Sequence, residues 1–382
     1  ISLLISLFFL LGPVSAQPSV DILKNTLALT FSADGTLWRV LPGADFVYVD
    51  FSKDQGLSYS PPVNVNQKAQ KISTWAENPP AIVVSSSGRV YILYYADERQ
   101  KSTSYFSYSD DAGKSFSPAT LISDHAATDM HYMDKMLLDQ QDNVHFFWHD
   151  KRDPENNAGL GAGALSLYHA KSSGSDMGEL NNSLVSHAVC SCCRTAVSLS
   201  PQGLAVILMR MVFADGTRDH ALLTQNSQAT WTTPEHISDD HWEIDACPEH
   251  GPSLAVDEQG RSHLSWFSLG NKRQGIFYAQ TDNYGKTVSA PMALGRLEFL
   301  PSHPDVIAEN KRVVLAWTEY DGQETSLYIQ QSEDRGHSWR RAKKVFSTLL
   351  TSGYPALLAH KGHVFVSWVT QSEGHRIIEV NL

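Results

Sequence analysis

Short apolar runs separated by polar turns recur along the whole chain in one pattern: a strand, a turn, and a second strand ending in aromatic residues. It reads PPAIVVSSSGRVYILYY from Pro79, MDKMLLDQQDNVHFFW from Met133 and RTAVSLSPQGLAVILM from Arg194. It returns as PSLAVDEQGRSHLSW from Pro252, PDVIAENKRVVLAW from Pro304 and PALLAHKGHVFVSW from Pro355, with a looser copy, LALTFSADGTLWRVL, from Leu27. Self-similarity at a period of about 50–60 residues is that of four-stranded propeller blades. Seven copies predict an all-β, seven-bladed β-propeller; six blades is the alternative if the first copy lies outside the ring.

A second pattern follows the copies: a short strand, then Ser/Thr-x-Asp-x-Gly-x-Ser/Thr-aromatic. It is complete at Ser52–Tyr59, Ser109–Phe116 and Ser332–Trp339, altered at Thr281–Thr287 and Thr224–Trp231, with a remnant at Asp176-x-Gly178. Asp and Ser/Thr side chains bond the amides of such a turn, and Gly takes the positive-φ position. The last copy lacks a fourth strand, whereas Pro18–Leu23 resembles the fourth strands elsewhere. This predicts that the N-terminal segment completes the last blade and closes the ring, removing an exposed edge.

These turns resemble the Asp-boxes, or BNR repeats, of the sialidase (neuraminidase) superfamily, and the resemblance covers nearly all of 17–382. It implies a single sialidase-like propeller. Asp-boxes are structural hairpins shared by proteins of several activities, so a reaction must be argued from the site.

The formal charge of −11 argues against nucleic acid and anionic membranes as main partners. Ile1–Leu11 is apolar but too short to span a bilayer, and Val14-Ser15-Ala16 has signal-peptidase spacing. Residues 1–16 therefore read as a signal peptide, an N-terminal anchor being the alternative. The mature protein is expected to be secreted or periplasmic, with no stable membrane insertion.

Within a blade, the turns joining strands 1–2 and 3–4 share one face. The strand 2–3 loops and the blade-to-blade segments share the other, where binding residues belong. Those segments carry Trp75, Glu77, Asp129, His131, Asp134, Lys135, Arg194, Asp245, Glu249, His250, Arg296, His303, Asp305 and Tyr354. His145 and His263 occupy one repeat slot on strand 2, which reads as packing.

Two features stand out. Cys190, Cys192 and Cys193 precede blade 4 and Cys247 precedes blade 5, so neighbouring blades should gather all four, with His250 and His187 nearby. Thiolates plus imidazole suit copper(I) or zinc; two disulfides, or a catalytic thiolate, are the alternatives in an exported chain. The second feature is Arg194, Arg210 and Arg218 on blade 4. Guanidinium forks bind carboxylates, and the resemblance implies a sugar acid held by three arginines. The family's Arg-Ile-Pro motif is matched only by Arg39-Val40-Leu41-Pro42, one residue longer. The resemblance also implies a Tyr nucleophile assisted by Glu, with an Asp as acid/base, for which Tyr354, Glu249 and Asp134 lie in suitable segments.

Three functions remain open: a glycoside hydrolase binding a carbohydrate or other small anionic ligand, a copper- or zinc-binding propeller, and a non-enzymatic scaffold. The first is favoured.

Overall fold

A computed structural model describes residues 22, 25–98, 101–125, 131–158, 160, 163–172 and 180–381. The signal segment, nearly all of the proposed closing strand, Asp129 and the Asp176–Gly178 remnant lie outside the described residues.

Among the described residues, twenty-seven strands form seven antiparallel sheets. Blade 1 is β1 (Ala28–Phe31), β2 (Leu37–Pro42), β3 (Val47–Ser52) and β4 (Val63–Asn64); blade 2 is β5 (Ala81–Val84), β6 (Val90–Glu98), β7 (Lys101–Ser109) and β8 (Thr120–Leu121). Blade 3 is β9 (His131–Leu138), β10 (Val144–Asp150), β11 (Ala164–Lys171) and β12 (Asn182–Cys190); blade 4 is β13 (Ala196–Leu199), β14 (Ala205–Arg210), β15 (His220–Thr224) and β16 (Glu235–His236). Blade 5 is β17 (Ser253–Val256), β18 (Ser262–Leu269), β19 (Gln274–Thr281) and β20 (Met292–Leu294); blade 6 is β21 (Ser302–Glu309), β22 (Arg312–Tyr320), β23 (Thr325–Ser332) and β24 (Lys343–Thr348). Blade 7 has three described strands, β25 (Ala356–His360), β26 (His363–Thr370) and β27 (Gly374–Glu379). The loose first copy is thus a complete blade, and the six-bladed alternative falls.

The first strands make the inner ring: β1 neighbours β5, and so on through β9, β13, β17 and β21 to β25, which returns to β1. Six apolar clusters fill the interfaces between consecutive blades. At the seventh interface Phe31 packs on His360 and Phe365, with ring centroids 5.1 and 5.0 Å away. Second strands are covered on both sides by neighbouring blades. Every residue of β10 and β14 is accordingly buried, the polar His145, His149, Asp150 and Arg210 included.

Trp148, Trp266, Trp317 and Trp368 lie in the C-terminal halves of the second strands and are fully buried. A buried indole N–H needs an acceptor, and each has one: Asp150, Asp240, Glu319 and the Gly353 carbonyl. In the 3–4 turn of blade 1, Ser52 Oγ accepts from the Gly56 amide at 2.7 Å and donates to Asp54. Asp54 accepts from the Ser58 amide and hydroxyl, and these donors pull its carboxyl down to about 2. The pattern repeats at Asp111, Asn283 and Asp334. His145 and His263 sit beneath the 1–2 turns of their blades, buried beside Asp139 and Asp257, as their shared slot suggests.

Candidate functional site

The blade-to-blade segments end at the heads of the inner strands, so residues distant in sequence converge at the axis. Glu77, ahead of β5, is the hub. Its side chain is 1% exposed and reaches Arg194, ahead of β13, through Oε1 at 2.8 Å. Its Oε2 accepts from the backbone amides of Arg194 (2.7 Å) and Gly251 (2.9 Å). One carboxylate therefore ties blade 2 to blades 4 and 5. The crossing is tight enough to demand glycine: a Cβ on Gly251 would lie 2.2 Å from Arg194 Cγ.

Beside this pair opens a cavity of about 170 Å³ lined by Lys135, Arg194, Asp305, Tyr354, Thr26 and Ser367, among others. Burial and Arg194 lower Lys135 to about 8. Burial, with Glu77 adding to it, pushes the Tyr354 hydroxyl well above its usual value. Asp305 is a tie between blades: it accepts from the Ser253 hydroxyl and from the Leu357 amide at 2.7 Å. Tyr354 begins a ladder of stacked rings, 3.5 Å from His303, which lies 4.4 Å from His250, which lies 3.9 Å from Phe267. Burial holds both imidazoles far below their ordinary value, hence neutral, and the Nδ1 of each is buried without a partner.

The three arginines proposed from sequence do not converge. Arg194 lines the axial cavity. Arg210 is 1% exposed and spends its guanidinium on the carbonyls of Arg218, His250 and Phe267, beneath the Trp242 ring. It is a strut between blades 4 and 5. Arg218 is buried, donates to Cys190 Sγ at 3.5 Å, and borders a separate pocket with Asp215, Glu243 and Asp245. Arg39 is paired with Asp50 at 2.6 Å and lies over Tyr59, holding blade 1 against His375 of blade 7.

The expected catalytic set is likewise dispersed. Tyr354 faces the cavity. Asp134 is buried between blades 2 and 3, its amide bonded to Asn78 and its carboxyl to the Ser104 hydroxyl, with Oδ1 unpartnered. Burial lifts it to about 7. Glu249 is exposed, in the left-handed region at φ 50°. Its charge reaches Tyr354, as Glu77's does.

The cysteines divide. Sγ atoms of Cys190, Cys192 and Cys193 lie within 4.8 Å of one another and all three residues are buried. Cys190 is 3.7 Å from Cys192 and 3.8 Å from Cys193. Cys247 is exposed and outside this group, so the predicted gathering of four does not form; all four are free thiols. His250 belongs to the ring ladder, and His187 bonds Ser166 instead. Thiol donors Cys192 and Cys193, with Arg210 nearby, pull Cys190 far down, while Cys192 and Cys193 are pushed up.

Glu77, Lys135, His303 and Asp305 were visible only as members of the blade-to-blade segments. Their common signal is register, since each stands within five residues of the head of an inner strand.

No family profile matches the chain, and no curated protein matches it. Solved structures share its fold at low identity. The Hadza microbial sialidase Hz136 superposes with a TM-score of 0.53 at 14% identity, over 91% of this chain and 74% of that one. A PL25 ulvan lyase bound to -[GlcA(1-4)Rha3S]- gives 0.58 at 12%, over 94% of each chain. A Penicillium chrysogenum alpha-L-arabinanase complexed with arabinobiose gives 0.51 at 10%, over 80% and 93%. At these identities what is shared is the architecture: this chain is a seven-bladed propeller similar in fold to sialidases, lyases and an arabinanase.

Proposed function

We propose that the protein is a glycan-active enzyme that binds an acidic sugar in the axial cavity and cleaves its glycosidic bond. The observation that carries this reading is the convergence of Lys135 from blade 3, Arg194 from blade 4 and Tyr354 from blade 7 on one cavity. Two cations held in a partly dry pocket suit a carboxylate, because low dielectric strengthens the attraction and the desolvation is already met by the fold.

Sequence resemblance points to hydrolysis with a Tyr nucleophile, and the proton inventory favours elimination. A nucleophilic phenol needs a lowered pKa, whereas Tyr354 is held protonated. Glu77 and Asp305 spend their oxygens on amides and partners within the ring. In elimination, neutralising the sugar carboxylate on Arg194 and Lys135 acidifies the carbon beside it. A base open to the cavity takes that proton, a carbon–carbon double bond forms as the carbon–oxygen bond breaks, and Tyr354, which lines the cavity, protonates the leaving oxygen.

The test is a panel of uronate-containing polysaccharides, sialosides and neutral glycans, read both by new reducing ends and by ultraviolet absorbance of an unsaturated uronate. Cleavage of acidic glycans alone is expected, with Tyr354→Phe losing turnover. Lys135→Met should raise KM about 10–100-fold, the worth of one charged hydrogen bond. Reducing ends without the unsaturated product would return the reaction to hydrolysis. Equal action on neutral glycans, or a Lys135→Met KM unchanged, would overturn the acidic-sugar reading.

A further inference from the structure

Independently of the axial cavity, the three gathered thiols form a site of their own. They come from one short stretch, the end of β12 and the turn after it, so the chain presents them together without help from distant blades. Sulfurs bound to a common ion at about 2.3 Å stand about 3.8 Å apart in a tetrahedral shell and about 4.0 Å apart in a trigonal one. Cys190 lies 3.7 and 3.8 Å from its two partners. An ion placed among the three would therefore touch all of them with little movement.

The surroundings select the ion. Apolar Val212, Leu160 and Ala164 pack against the three residues. Among the described residues no further His, Cys, Asp or Glu joins the group. The side facing Cys190 is taken by the Arg218 guanidinium, a hydrogen-bond donor and not a ligand. Zinc in closed protein sites takes four ligands, and a dry, three-sulfur shell suits a soft monovalent ion better. Three thiolates around copper(I) carry a net charge of −2. The two arginines that act on Cys190, Arg218 by contact and Arg210 through its charge, offset it.

We propose that Cys190, Cys192 and Cys193 form a three-coordinate copper(I) site where blade 3 passes into blade 4, one residue from Arg194. Cys247 is not a ligand of this site.

Reduced full-length protein is titrated anaerobically with copper(I) against a chromophoric chelator, and thiols are then alkylated and mapped by mass spectrometry. One copper(I) per chain is expected, with Cys190, Cys192 and Cys193 protected and Cys247 alkylated. Cys192→Ser should weaken binding more than about 100-fold, beyond what changes outside the ligand shell cost, while Cys247→Ser should leave affinity within about twofold of wild type. If Cys192→Ser does not fold, the protection map of the wild type decides. Alkylation of all three thiols in the presence of copper(I), loss of binding on Cys247→Ser, or a tighter hold on zinc in the same competition would each overturn the assignment. So would a disulfide within the group that persists under reductant.

Discussion

Removing the charge of Glu77 is the sharpest perturbation of the axis. Glu77→Gln keeps the shape and one acceptor oxygen, which can continue to serve the amides of Arg194 and Gly251. The new NH₂ group then faces Arg194 Nη1, formerly 2.8 Å from Oε1, so donor meets donor. Side-chain exposures of 14% for Arg194 and 1% for Glu77 place the pair out of water. Stranding one partner of a buried pair costs about 3–5 kcal/mol. The lower end applies here, since Asp305 also acts on Arg194. We therefore expect Glu77→Gln to lose about 3 kcal/mol in urea unfolding followed by tryptophan fluorescence. Arg194→Met should be costly alone, yet the double variant should fall about 2 kcal/mol short of the sum, because each single change strands the other group. A cycle additive within about 0.5 kcal/mol would refute a coupled pair at the axis.

Two further outcomes follow from buried groups away from the cavity. Arg210→Met orphans the carbonyls of Arg218, His250 and Phe267 and should cost about 3 kcal/mol of unfolding free energy while leaving KM for acidic glycans unchanged; intact stability with lost glycan binding would mean that Arg210 is a ligand. Asp134, lifted by burial to about 7, keeps in the folded state a proton that the unfolded chain releases near its ordinary value of 3.8. Its contribution is complete below that value and is lost as pH rises through about 7, so Asp134→Asn should gain on wild type between about pH 5 and pH 8. A difference that stays constant across this range would show that Asp134 does not titrate there.

The sequence alone determined the ring. Strand order, the turns and a count of seven against six blades followed from signals carried by neighbours in the chain: apolar strand repeats, a Gly where φ must be positive, and an Asp within reach of its own amides. The structure decided for seven by completing the first blade. The gathering of Cys190, Cys192 and Cys193 is equally local. What only the tertiary structure decided is which side chains meet across the axis. Glu77 and Arg194 are 117 residues apart, and nothing in either segment names the other. Arg194, Arg210 and Arg218 share a blade, yet one lines the cavity, one braces two blades and one lies against sulfur. Cys247 precedes its blade much as Cys193 does and still stays outside the cluster. Closing seven twisted sheets into a ring fixes where each inner strand's head points. That direction depends on packing summed around the circle, which no local pattern records.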